Sequence, residues 1–237
     1  MNPGLAWQTA FLMIPLAMLS FSISGTYTDL YEITMGEAHF MQGRANHSAC
    51  FDYLFRKLPY HGGYVVFSGL EDVLTVLESL HFTDEDIYFL KQLQLNDSYI
   101  EYLKGFSFSC DVYACAEGEV IFPNSPVLRV EGNIIAAQLV ETMLLNILNF
   151  ESLIATRAAR IKQVAGNSSL SDFGVRRAQG FGGIRATRAA AAGGFETTSN
   201  VYGAALYDLP VAGTMAHSFV QSYDDELEAF RAFAAVR

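Results

Sequence analysis

Between Asp172 and His217 the sequence alternates in a way few folds accommodate. A short run ends in Phe173-Gly174, an Arg/Ala-rich helical patch stops at Gly193-Gly194, and a polar turn follows at Thr197-Thr198-Ser199-Asn200. A second short strand, Pro210 to Gly213, then leads to His217. Strand, loop, helix, strand is the rhythm of βα units, whose loops carry function at one face of a barrel. The pattern restricts this part of the chain to an α/β architecture and directs the search for chemistry to the loops.

The same region holds the strings DFGVRRAQG, GGFETTSNVYGA and PVAGTMAHSF. Upstream lie TDLYEITMG from Thr28 to Gly36, FDYLFRKLP from Phe51 to Pro59, and NFESLIATRAARI from Asn149 to Ile161. Together and in this order they resemble the nicotinate phosphoribosyltransferase family, over residues 26 to 237. The resemblance implies an α/β protein with an N-terminal α+β domain at 26–132 and the first part of an α/β barrel at 133–237, incomplete in this chain, as in type II phosphoribosyltransferases. It also implies that residues 1–25 are foreign to the family and that the chain stops about halfway through a family member.

Apolar residues make up 51% of the 237 positions and charged ones 17%, enough to build a core. A net charge of −10 argues against a general nucleic-acid binder, which needs a basic surface. Against that background Arg157, Arg160, Arg176, Arg177, Arg185 and Arg188 form a local cationic cluster. The three cysteines, Cys50, Cys110 and Cys115, lack metal-ligand spacing and fit reduced, buried thiols in a cytoplasmic protein. Ala10 to Ile23 is apolar but too short to span a bilayer, and no Lys or Arg precedes it as in an export signal. No membrane association is expected.

The spacing predicts a helix capped by Thr28, strands at Phe51–Phe55 and Tyr64–Phe67, and an amphipathic helix from Gly69 to Leu80. Thr83 with Asp86 and Ser98 with Glu101 read as capping boxes. Phe106–Cys115 and Glu119–Phe122 alternate around Glu117-Gly118 as a hairpin would, and Val127–Val130 adds a strand. Gly132 marks the expected domain boundary. Helices follow over Asn133–Leu148, Glu151–Val164 and Asp224–Val236.

The resemblance implies transfer of a phosphoribosyl group from phosphoribosyl pyrophosphate to the ring nitrogen of nicotinate, in the salvage route to NAD. Such chemistry needs positioning and electrostatic stabilisation more than acid–base work. By resemblance Phe173 and Tyr31 sandwich the pyridine, with Tyr31 arriving from the neighbouring subunit of a head-to-tail homodimer. Arg176 grips the carboxylate with a planar fork that lysine lacks, and Arg177 supports it or contacts phosphate. Ser199 stands where amide-specific relatives place an aspartate, and a hydroxyl there favours the acid over the amide. Asp29 lines the site beside Tyr31.

His217 corresponds to the family histidine that ATP phosphorylates, and imidazole is a competent nucleophile toward a phosphoryl group. Magnesium and ATP are therefore implied as cofactor and co-substrate, with the phosphate and metal loops expected beyond this chain. No Walker-type loop is present in the sequence. One alternative is a non-catalytic isoform that acts only as a dimerisation partner and lends Tyr31. Another is a quinolinate-type transferase, which shares the architecture but not the DFGVRRAQG or TMAHSF strings.

Overall fold

Strand β5 (Leu128–Asn133) organises the first part of the molecule, because it is paired along both edges. In this computed structural model, which describes residues 23–236, β1 (Ser48–Tyr53) and β3 (Asp111–Ala114) flank it antiparallel, with Phe51 and Val112 both opposite Val130. A smaller antiparallel pair joins β2 (Val65–Val66) to β4 (Val120–Ile121). The anticipated hairpin is therefore absent, since β3 and β4 take different partners. The turn between them holds Gly118 at φ +85°, where glycine is unstrained. It docks instead onto helix α2 (Leu70–Ser79): Glu117 Oε1 accepts the amides of Gly69 and Leu70 at 2.5 and 2.8 Å. Those are orphan donors of a helix start, which favours a carboxylate.

Helix α1 (Leu30–Met41) starts after Asp29, and neither Thr28 nor Asp29 caps it with a side chain. The Thr28 hydroxyl donates instead to the Leu139 carbonyl at 3.2 Å. Helix α3 (Asp84–Lys91) opens with the anticipated capping box: Thr83 Oγ1 accepts from Asp86 N–H at 3.1 Å and Asp86 Oδ2 from Thr83 N–H at 2.8 Å. Burial alone would raise the Asp86 carboxyl, but hydrogen bonds from Thr26, Thr83 and Ser24 outweigh it and hold the group low. Helix α4 (Asp97–Lys104) is capped by Asn96, not Ser98, because the Asn96 carboxamide reaches the Ser98 amide at 2.9 Å.

Asn133 caps α5 (Ile134–Leu139), and the chain bends at Val140 into α6 (Glu141–Ala165). The helix break therefore comes at Val140, and α6 continues through Asn149 to Glu151, where a second helix was expected to begin. Its buried hydroxyls explain why: Thr156 Oγ1 accepts the Val66 amide at 2.9 Å and Ser152 Oγ the Ser68 amide at 3.1 Å. These polar residues satisfy a buried strand that a purely apolar helix would leave unpaired. Around them Phe67, Leu103, Ile147 and Leu148 are fully enclosed, each contributing about 1.5–3 kcal/mol. The helical run Ile134–Ala165 is long and apolar enough to cross a membrane, yet 61% of its most apolar window is buried inside the protein. It is the core helix here.

By internal packing the chain divides into two compact units, one ending at Arg157 and the other beginning at Ala158, a division that falls inside α6. In the second unit β6 (Ser171–Asp172) runs parallel to β7 (Thr197–Thr198), and Thr198 bridges in parallel to Val211. The stretch read as a polar turn at Thr197-Thr198 is thus a strand. Its polar residues are satisfied sideways, Ser171 and Thr197 pairing their hydroxyls at 2.5 Å. Helix α7 (Gly182–Ala192) crosses between β6 and β7, and Gly194 at φ +98° ends it as expected. Helices α8 (Val201–Tyr207), α9 (His217–Val220) and α10 (Glu226–Ala234) complete the unit. The three cysteines are free; Cys50 is exposed rather than buried because β1 faces solvent along most of its length.

Candidate functional site

Because β6, β7 and the Val211 bridge are parallel, the segments that follow them leave the sheet on one edge. After β6 come Phe173, a 3-10 turn over Val175–Arg177, and thus Arg176 and Arg177. Ser199 follows β7, and the third segment leads on to His217. The side chain of Phe173 is 45% exposed, and both arginines and His217 reach solvent. An exposed aromatic ring and two exposed arginines therefore follow the same strand end. His217 is not at the end of its strand, as expected, but opens α9 five residues after Ala212.

The loop after β6 is shaped by the residue before it. Asp172 Oδ1 accepts the amide of Gly174 at 2.8 Å, which turns the chain sharply at Phe173. Asp172 Oδ2 accepts from Thr198 at 3.3 Å and Thr187 at 3.5 Å. Thr187 in turn accepts from Asn200 Nδ2 at 3.0 Å, and Asn200 Oδ1 caps α8 by taking the Gly203 amide at 3.1 Å. Ser199 N–H donates to the Asp172 carbonyl at 2.9 Å. One network centred on the half-buried Asp172 thus ties down the backbone at both Gly174 and Ser199. Arg177 Nη1 donates to the Phe173 carbonyl at 3.2 Å, and Arg176 beside it is exposed.

The outer end of β6 is tied down separately. Glu196 accepts from Lys162 and, at 2.6 and 2.9 Å, from Ser169 and the Leu170 amide. Led by the Lys162 contact, these bonds hold the Glu196 carboxyl at about 2.

Asp29 and Tyr31 lie in the first unit, at the start of α1. Thr142 Oγ1 donates to Asp29 Oδ2 at 2.9 Å, and the Tyr31 hydroxyl donates to Glu141 Oε1 at 3.4 Å. Tyr31 is 45% exposed. Burial, then the charges of Glu32 and Glu141, raise its phenol.

Sequence reasoning singled out Phe173, Arg176 and Ser199 but not Asp172, Thr187, Thr198 or Asn200 beneath them. An aspartate immediately before Phe173-Gly174 was the available signal, because Asp folds back on the amide two residues on. Among the described residues no group of three or more His, Cys, Asp or Glu side chains is placed to hold a metal.

Two family models match the chain: the nicotinate phosphoribosyltransferase N-terminal domain over residues 26–149, and the nicotinate phosphoribosyltransferase family over residues 168–235. The nicotinate phosphoribosyltransferase of Bacillus subtilis is 46% identical over 210 residues, covering 88% of this chain and 43% of that protein. The crystal structure of human nicotinic acid phosphoribosyltransferase superposes with a TM-score of 0.78 at 39% identity, covering 83% of this chain and 40% of the human one. A nicotinate-nucleotide pyrophosphorylase from Pyrococcus furiosus superposes with a TM-score of 0.75 at 27% identity, covering 90% of this chain and 47% of that one. The chain thus spans less than half the length of these relatives.

Proposed function

Since the chain belongs to the nicotinate phosphoribosyltransferase family, we propose that it carries the nicotinate-recognition part of an enzyme that transfers a phosphoribosyl group from phosphoribosyl pyrophosphate to nicotinate, in NAD salvage. The observation that carries this is the single loop after β6. The Asp172–Gly174 bond folds the loop on which Phe173 and Arg176 stand three residues apart, both exposed, an aromatic ring and a planar cation on one short segment. Nicotinate has the complementary pair, a flat ring and a carboxylate. Stacking orients the ring, and the guanidinium fork takes the carboxylate through two parallel hydrogen bonds.

Ser199, anchored to Asp172 through its amide, offers a hydroxyl where a carboxylate would repel the acid. Tyr31 of a second copy covers the other face of the ring. The exposed Leu30, Tyr31 and Met35 on α1, at 61, 45 and 40%, support such a homodimer contact, with Asp29 beside it. The ring nitrogen attacks the anomeric carbon of the sugar while pyrophosphate leaves, and holding both reactants in line supplies most of the acceleration. Arg177 backs the Phe173 loop and lies within reach of phosphate.

His217 takes the γ-phosphoryl group of ATP on a ring nitrogen and releases ADP; its exposure at the start of α9 leaves it accessible. Hydrolysis of that adduct is coupled to the transfer. Magnesium, where used, would neutralise the phosphates, and no step assigned to these residues depends on it. A cytoplasmic location fits the three free thiols and the intracellular nature of both substrates. Titration of the protein with nicotinate and with nicotinamide tests the proposal, binding of the acid in clear preference to the amide being the expected result.

A further inference from the structure

The turn of α1 that exposes Tyr31 sends the next residue inward. Glu32 is 1% exposed, and neither of its carboxyl oxygens meets a hydrogen-bond partner among the described residues. From α5, Gln138 Nε2 donates to the Glu32 backbone carbonyl at 3.4 Å, so that amide is engaged by the main chain. From α4 the ionisable groups packed against α1 are Tyr99, whose hydroxyl lies against Gly36, one turn further on, and Tyr102, whose ring lies 5.1 Å from that of Phe40. From α6 it is Glu141, an exposed residue at the helix start that also accepts the Tyr31 hydroxyl at 3.4 Å. Asp29, at the start of α1, is engaged by Thr142. The hydrogen bond from Tyr31 brings the Glu141 carboxylate to the turn of α1 that holds Glu32, whose own charge would be unsolvated, and two neighbouring carboxylates do not both ionise readily.

We propose that Glu32 and Glu141 hold one proton between them, and that this pair is a positioning device for the Tyr31 ring. The inference rests on the proposed role of Tyr31 as the second face of the nicotinate slot. With the proton on Glu32, the Glu141 carboxylate is the only charge of the pair and remains over Tyr31 as its acceptor. When that proton passes to solvent, both groups carry a negative charge. Glu141, being exposed, turns to water, and the Tyr31 hydroxyl loses its partner. Burial and then the charge of Glu141 push the Glu32 carboxyl up to about 7, so the change falls in the neutral range. Glu32 is thereby a positioning residue, acting on substrate only through Tyr31.

Two measurements on the full chain test this. In the first, the carboxyl carbons of 13C-labelled glutamates are followed by NMR as pH rises, with Glu32→Gln and Glu141→Gln identifying the signals. Glu32 is expected to titrate near neutrality and to fall toward the ordinary range in Glu141→Gln; a normal acidic titration in the unmodified chain overturns the shared proton, whatever nicotinate does. In the second, the nicotinate dissociation constant is measured from about pH 6 to about pH 8.5. Loosening one stacked ring should weaken binding about two- to tenfold over that range, with a flat profile in Glu32→Gln. A flat profile in the unmodified chain beside a neutral Glu32 titration overturns the link to Tyr31. Failure to bind nicotinate at any pH overturns the proposed function, and the NMR titration then decides the carboxyl pair by itself.

Discussion

Asp172 accepts the amide hydrogen of Gly174 at 2.8 Å, and this bond folds the loop that carries Phe173 and Arg176. The same carboxylate takes the Thr198 hydroxyl at 3.3 Å from the neighbouring strand, so loop and sheet are fixed by one side chain. Asp172→Ala should therefore cost about 1.5–3 kcal/mol of stability, the usual range for hydrogen bonds to a charged group, and weaken nicotinate binding with it. Urea unfolding and ligand titration on the same variant check both parts. Loss of affinity without loss of stability would mean that Asp172 touches the ligand rather than the loop.

Arg176→Lys keeps the charge and removes the fork. We expect it to weaken nicotinate binding by about 1.5–3 kcal/mol while leaving the unfolding midpoint unchanged, since the side chain is exposed. Calorimetric titration measures the first and thermal melting the second. An affinity equal to that of the unmodified protein would remove Arg176 from the carboxylate clamp.

Much of this arrangement was legible in the sequence, and what was not has physical reasons. The βα rhythm after Asp172 emerged as parallel strands and a crossover helix because glycines and apolar spacing mark those elements locally. Thr197-Thr198 was misread as a turn because its strand character depends on hydroxyl partners supplied by Ser171 and Asp172, 26 residues away. The hairpin at Glu117-Gly118 failed for a similar reason. The turn residues were right, but Glu117 is spent on the start of α2, and the flanking strands find other edges. Positions such as Phe173 and Arg176 were visible as a motif, whereas Asn200 and Thr187 beneath them gain meaning only from distance.

The Glu32 carboxyl makes stability depend on pH in a definite direction. Its ordinary value is 4.5 and burial raises it to about 7, so the folded chain holds this proton more tightly than the unfolded one. The contribution is complete below about 4.5 and is lost as pH rises through about 7. Denaturant midpoints should fall across that window, and Glu32→Gln should reduce the slope and be the more stable protein on the alkaline side. A slope unaffected by the substitution would assign the effect to another group.

For His217 the expected observation is an acid-labile phosphoryl adduct after incubation with γ-labelled ATP. The label should be absent from His217→Asn, whose fold is expected to be unchanged because the residue is exposed on a short surface helix. Labelling of the variant at the level of the parent would place the phosphoryl group on a different residue.

The central claim is that the loop after β6, with Ser199 beside it, recognises a pyridine that carries a carboxylate. Isothermal titration of the protein with nicotinate and, separately, with nicotinamide tests this most directly, because the two ligands share the ring and differ only in the charged group. The account predicts binding of nicotinate and, for nicotinamide, an affinity at least about tenfold weaker, the loss of one charge-assisted contact. Equal affinities, or tighter binding of the amide, would contradict it.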